Sequence, residues 1–326
     1  MTSTKTKVLF LGPVGTYSHQ AALQQFGDSD DIEYIPAQSI PQCFDDLEGA
    51  KDITYSVVPL ENSTNGQVVF SYDLLRDRML DEKCQKKQNQ IISSLEVIGE
   101  QYVSIAHCLI SPVDISGPKN LANYKQVRIH THPQVWGQVA RYLKELRKNF
   151  SSTKFELIDC TSTSDAVSQA QQTQLKNISD QDVLNVAIAS EAAVHIYKAY
   201  IVDHSINDVT GNTTRFLVLQ RRGTVELFNT EKMKVSLLTF TTEQDCPGSL
   251  VDVLTILKNF SINMCSISSR PFNNKTSTRK WQYIFYIEYD FDGSRDIWDS
   301  FYEQINLKCM EWCLWGTFPR NDRYYK

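Results

Sequence analysis

No stretch of this 326-residue chain stays apolar for the roughly 20 residues that a membrane-crossing helix requires. The opening segment, Met1 to Lys7, lacks the apolar core of a secretory signal, so the expected location is cytoplasmic, with no membrane partner. Positive charge is scarce too. Lys and Arg number 33 against 38 Asp and Glu, a formal net charge of -5 with no basic cluster, and no nucleic-acid partner is expected. An acidic protein that binds an anion must do so locally, with a few donors aimed into a pocket.

The eight cysteines include no CxxC pair, and in a cytoplasmic chain they build no disulfide framework. Cys309 and Cys313, four apart, are read as one face of a strand and as small hydrophobes rather than zinc ligands. The six histidines form no HxxxH or HExxH pattern, so no metal site is expected. Neither GxGxxG nor GK[ST] occurs, which argues against a nucleotide, and no cofactor is expected. What remains is an ordinary globular composition, 41% hydrophobic and 22% charged, long enough for two or three domains.

From Lys7 to Arg221 the pattern is strand, polar helix start, helix, several times over, a doubly wound α/β layout. Val8–Leu11 reads as a buried strand, followed by the turn Gly12 to Ser18 and a helix from about Tyr17 to Phe26 that Gly27 stops. Such a turn exposes backbone N–H groups at a helix N-terminus, a ready anion site. Ser39-Ile40-Pro41-Gln42 has the shape of a capping box. The strand Ile53 to Val58 runs into Pro59-Leu60-Glu61-Asn62-Ser63-Thr64-Asn65-Gly66 and then a helix over 67–80. Polar side chains at the carboxyl end of a strand are where open α/β sheets place ligands. The Lys/Gln-rich stretch 81–96 reads as an exposed loop, and 102–110 as one strand.

Val127–His130 is a short strand, and Thr131-His132-Pro133-Gln134 starts a helix whose apolar face is Val135, Val139, Leu143 and Leu146. His132 is either a ligand-facing donor or part of that cap. Thr161 to Ala166 caps a further helix with more hydroxyls than the one a cap needs. Val183 to Ala189 leads into Ser190-Glu191, another helix start. The segment 112–203 behaves as an inserted lobe, leaving a cleft against a first lobe of 7–111 and 204–222. The stretch Gly211-Asn212-Thr213-Thr214-Arg215-Phe216-Leu217-Val218-Leu219 sets a polar turn directly before a strand. A rigid sheet can hold the Thr214 hydroxyl at the edge of such a cleft. Beyond Gly223 the order becomes βαββαβ, a ferredoxin-like arrangement over 234–320, with a loop at 273–280.

These segments resemble a known family. LGPVGTYSHQAA, VPLENSTNGQV, HTHPQ, CTSTSDA, ASEAA and NTTRFLVL look like the ordered blocks of prephenate dehydratases, and the second region resembles an ACT domain with PGSL and SSRP. The resemblance implies a two-lobed catalytic domain over 7–222, like periplasmic binding proteins, and an ACT regulatory domain over 234–320. It implies conversion of prephenate to phenylpyruvate in phenylalanine biosynthesis, inhibition by L-phenylalanine, and homodimers or homotetramers. It makes Thr214 the essential threonine. Thr16, Glu61, Asn62, Ser63, Ser162, Thr163, Ser190, Asn212 and Arg215 become candidates for substrate binding. Gly248, Ser249, Leu250, Ser268, Ser269 and Arg270 become candidates for effector binding.

The chemistry of the residues agrees with this. Prephenate carries two carboxylates, one of which leaves as carbon dioxide, and a hydroxyl that leaves as water. The reaction needs anion clamps and a hydrogen bond at the departing oxygen. Arg215 pairs with a carboxylate, or its alternation with Thr214 turns it away. Glu61 beside a dianion is costly unless protonated or bonded to a donor, which leaves a structural role open for it. Ser268 stands where the family has glutamate, which weakens the expectation for the effector site. Arogenate dehydratase, and a non-catalytic amino-acid sensor on the same fold, are the rival readings.

Overall fold

The computed structural model describes residues 5–81, 84–176, 181–224, 233–243, 246–272, 281–292 and 295–325. The first unit runs Thr6–Leu11 (β1), Tyr17–Phe26 (α1), Ile32–Ala37 (β2), Ile40–Gly49 (α2), Ile53–Asn62 (β3), Gly66–Gln67 (β4) and Val69–Met79 (α3). Its local signals act as their chemistry demands. Thr16 accepts from the His19 N–H to start α1, and Ser39 accepts from the Gln42 N–H to start α2. Gln42 turns its carbonyl to the Gln38 N–H rather than to Ser39, so the reciprocal arm of the box lands one residue early.

Next come Gln85–Lys87 (β5), Gln90–Ile92 (β6), Leu95–Ser104 (β7) and His107–Ser111 (β8). Two expectations change here. The stretch read as an exposed loop forms the hairpin β5–β6, whose Gln90 pairs with Trp312 far along the chain. Its polar composition suits an edge hairpin that finds its partner only in the tertiary fold. The single strand expected over 102–110 is two strands in different sheets. The chain crosses over where the Ile105 N–H bonds the Asn212 carbonyl at 2.7 Å, and no Gly or Pro marks the break.

The second lobe holds Gln126–Thr131 (β9), Pro133–Trp136 (α4), Ala140–Asn149 (α5), Lys154–Asp159 (β10), Thr163–Lys176 (α6), Val183–Ser190 (β11), Glu191–Tyr197 (α7) and Tyr200–Asp203 (β12). The one helix expected after His132 is broken between α4 and α5 at Gly137 to Val139. There the Asp208 carboxylate accepts from the Arg141 and Tyr142 N–H groups and caps α5 from outside. The chain returns through Thr213–Arg221 (β13). The first sheet has the order β2-β1-β3-β13-β7 and the second β10-β9-β11-β8-β12, each with two parallel pairings followed by two antiparallel ones, so that β13 in the first and β8 in the second run against the other four strands of the order.

Lys234–Thr241 (β14), Ser249–Asn259 (α8), Met264–Phe272 (β15), Gln282–Phe291 (β16), Arg295–Lys308 (α9) and Glu311–Pro319 (β17) complete the chain. Their sheet, β15-β16-β14-β17, is ferredoxin-like, and β6-β5 extends it. The loop expected over 273–280 lies outside the described residues. Cys309 follows α9 rather than sharing a strand with Cys313. Both are buried, and burial pushes each thiol up to about 12.

The C-terminal sheet is not a loosely tethered module. Val235, Leu237, Ile284, Tyr286, Trp315 and Phe318 share one buried cluster with Leu9, Phe44, Leu60, Leu75 and Leu217 of the first lobe. Each such side chain contributes about 1.5–3 kcal/mol by leaving water. At the seam β17 approaches β7 so closely that a Cβ on Gly316 would lie 2.0 Å from the Val97 carbonyl oxygen. Only glycine fits there.

Candidate active site

Between the two sheets lies a cleft of about 650 Å³ whose lining includes Thr16, Tyr17, Asn62, His107, Gln138, Ser162, Thr163 and Thr214. Among the described residues no lysine or arginine lines it. The donors are neutral side chains and the N-termini of α1 and α6, which suits an anion bound by dipoles rather than by an ion pair. A second cavity, of about 800 Å³, sits on the second lobe beside Tyr124 and Gln174, and its lining among the described residues is likewise without lysine or arginine. It receives neither α1 nor the Thr214 strand.

The polarity of the cleft floor is fixed by one turn of backbone. Asn62 Oδ1 accepts from the Thr64 N–H at 3.0 Å and the Asn65 N–H at 2.9 Å. Its amide nitrogen must therefore face the cleft, where it donates to Asn212 Oδ1 at 2.7 Å and to Thr214 Oγ1 at 2.9 Å. Because Thr214 accepts from Asn62, its own proton is free to point at a ligand. Asn212 then presents Nδ2 to Gln138 Oε1 at 3.3 Å. That oxygen lies 2.7 Å from His107 Nε2, so Nε2 carries the ring proton and Nδ1 is left as an acceptor, 3.1 Å from the Tyr17 hydroxyl. The chain of bonds spans both lobes.

Burial lowers the His107 pKa below the ordinary histidine value, against the pull of Gln138, so the ring is neutral at pH 7. Burial raises the Tyr17 phenol, and it remains a donor.

Five of the candidate residues, Thr16, Asn62, Ser162, Thr163 and Thr214, line the cleft together. The other five do not. Arg215 alternates away from Thr214 and is buried on the opposite face among Glu61, Glu100 and Glu288, so it does not reach the cleft. Glu61 is its partner at 3.0 Å. Ser63 accepts from the Thr213 N–H and holds the turn. Ser190 is buried and donates to the Gly15 carbonyl across the lobes, so the start of α7 is sealed rather than offered to a ligand. Asn212 stands one bond behind the surface.

His132 lines the cleft and caps α4 as well, its Nδ1 accepting from the Gln134 N–H. Tyr17 entered the reading only for its place at a helix start, and His107 and Gln138 did not enter it. Their one signal was a polar group set among apolar neighbours, His107 within Ile105 to Ile110 and Gln138 between Val135 and Val139.

The effector candidates divide. Gly248 takes a left-handed backbone, with φ at 89°, at the start of α8, followed by Ser249 and Leu250. Ser268 accepts from Gln67 Nε2 at 2.7 Å, and Arg270 grips Asp73 at 2.8 and 3.2 Å, so both are occupied by the first lobe. Ser269, between them, is exposed.

Fold and cleft together define a two-lobed α/β protein with a neutral, donor-rich interlobe site and a ferredoxin-like domain fused to its back. The comparison with known families narrows this: the family model for prephenate dehydratase matches residues 8–224, and the chain belongs to that family. It is 55% identical to a Saccharomyces cerevisiae "probable prephenate dehydratase", over all of this chain and 99% of that one. It is 28% identical to a bifunctional chorismate mutase/prephenate dehydratase of Aquifex aeolicus, over 97% of this chain and 74% of the other. The crystal structure of an Arthrobacter aurescens prephenate dehydratase in complex with L-Phe has the same fold. Its TM-score is 0.74 at 21% identity, covering 98% of this chain and 91% of that one.

Proposed function

We propose that the cleft turns prephenate into phenylpyruvate, water and carbon dioxide, with Thr214 donating the hydrogen bond at the departing oxygen. The bond from the ring to its carboxylate breaks, and its electron pair enters the ring. The opposite carbon–oxygen bond breaks in turn, and its pair leaves with the oxygen, which takes up one proton as water. Threonine is a poor acid, so Thr214 orients and relays rather than ionising. The observation that carries the reading is the Asx turn at Asn62, which leaves the Thr214 proton directed at the cleft. The N-termini of α1 and α6, with Thr16, Ser162 and Thr163, clamp the carboxylates.

The catalytic domain is 7–222, and 234–320 is an ACT regulatory domain. L-phenylalanine bound at the Gly248–Leu250 turn inhibits the enzyme, a reading supported by the L-Phe complex of the Arthrobacter relative. The enzyme works in the cytoplasm as a dimer or tetramer. No described helix is long and apolar enough to cross a membrane.

Incubating the purified protein with prephenate and with arogenate tests the assignment. Phenylpyruvate formed from prephenate is expected. Turnover of arogenate to phenylalanine alone would shift the substrate, and no turnover of either would leave a sensor.

A further inference from the structure

Immediately behind Thr214, on the face of β13 turned away from the cleft, Arg215 is only 4% exposed and faces three carboxylates from three neighbouring strands. Glu61 on β3 lies 3.0 Å from Nη1, Glu100 on β7 lies 2.6 Å from Nη2, and Glu288 on β16 lies 2.8 Å from Nη1. Arg320, just past β17, adds a second guanidinium, 3.4 Å from Glu100 and 3.7 Å from Glu288. Burial works to discharge Arg215, and the charges of Glu288 and then Glu100 outweigh it. Glu100, Glu288 and both guanidiniums are nearly dry, so losing one of them leaves a buried charge unpaired, whereas Glu61 stays open to solvent.

Its position gives it a task. In the β13–β3 ladder Thr214 pairs with Asn62 and Arg215 pairs with Glu61, and the register slips at the next step, between Arg215 and Phe216. A bulge beside the reacting pair leaves its orientation to the side chains that grip it. The grip on the Arg215–Glu61 pair comes from Glu100 within the same sheet and, from outside it, from Glu288 of the C-terminal sheet.

We propose that Glu288 is a positioning residue for the dehydration: by fixing Arg215, and through it Glu61, it aims Asn62 and Thr214 into the cleft. The C-terminal sheet then shapes the catalytic site as well as carrying the effector turn. This rests on the reading of Thr214 above. A displacement of about 1 Å at a reacting group can cost on the order of 100-fold in rate, so a charge removed one layer back is measurable.

The test is a double-mutant cycle on kcat and KM with prephenate in the full chain, using Glu288→Gln, Thr214→Ala and the pair. Glu288→Gln is expected to lower kcat about tenfold with KM within twofold. In the Thr214→Ala background it is expected to change kcat less than twofold, since no hydroxyl is left to aim. Glu288→Asp, which keeps the charge on a shorter arm, is expected to lower kcat only about threefold, and it carries the same cycle, its loss again vanishing in the Thr214→Ala background, if the glutamine variant fails to fold. An equal loss in both backgrounds, or no loss in either, overturns the proposal while leaving the role of Thr214 standing. Near-normal turnover of Thr214→Ala itself removes the reading beneath it.

Discussion

Asn62 donates to the Thr214 hydroxyl over 2.9 Å and cannot be turned round, because its carbonyl oxygen is held by two backbone N–H groups of its own turn. An accepted hydrogen bond on one side of Oγ1 leaves its proton for the other. On the role proposed for Thr214, the donor at the departing oxygen is prepared by an amide that touches no reacting bond.

Thr214→Ala is expected to lower kcat by at least about 100-fold, the scale seen when one preorganised donor is removed, with KM and melting temperature little changed. Thr214→Ser keeps the hydroxyl and should stay within about tenfold of wild type. Asn62→Asp would place an acceptor where the amide donates, draw the Thr214 proton away from the cleft, and reduce kcat as severely as the alanine variant. Steady-state kinetics on all three, beside circular dichroism, checks the set. Normal rates in Asn62→Asp would show that the amide sets nothing.

Stability should depend on His107 in mildly acidic solution. Its folded pKa lies below the value of about 6.5 that it has in the unfolded chain, because burial disfavours the imidazolium. Between those two values the unfolded state binds a proton that the folded state does not. The contribution is therefore complete above pH 6.5 and is lost as the pH falls through the folded pKa. Burial depresses His130 in the same sense. Melting temperature should drop on acidification below pH 6.5, and His107→Gln should flatten part of that slope. An identical slope in the variant would remove His107 from the account.

At the seam between β17 and β7, Gly316→Ala forces a Cβ against the backbone oxygen of Val97, 2.0 Å away, where no side chain can swing aside. The expected loss is about 3 kcal/mol or more, visible as a shift of the denaturant midpoint. Gly137→Ala is the control. It sits at φ −70° with nothing within 4 Å of a new Cβ, and its midpoint should barely move.

Saturating L-phenylalanine should lower turnover and raise the melting temperature, since a ligand that binds only the folded state stabilises it by mass action. Thermal shift and the phenylpyruvate assay, run over one titration, report both effects. A melting curve that phenylalanine does not move would dispose of the effector site at Gly248–Leu250.

Much of this molecule could be read along the chain. Caps and helix stops act through neighbours a few residues away, so Thr16, Ser39 and Gly27 declare their helices locally. The break before Phe216 likewise marks a loop-to-strand junction at Thr214 with no knowledge of the rest. A strand sends successive side chains to opposite faces, so Thr214 and Arg215 had to part company. Which of them met the cleft was decided only when β13 settled between β3 and β7. The other reversals share that cause. The 85–92 hairpin is polar and looked like loop until a distant strand offered it a partner, Trp312 lying against Gln90 and donating its N–H to the Asn89 carbonyl. His107 and Gln138 are ordinary residues in separate segments, and their chemistry comes from meeting. Short-range forces wrote the elements into the sequence; the partners of buried charges and amides are set by contacts between distant segments, and only the folded chain holds those.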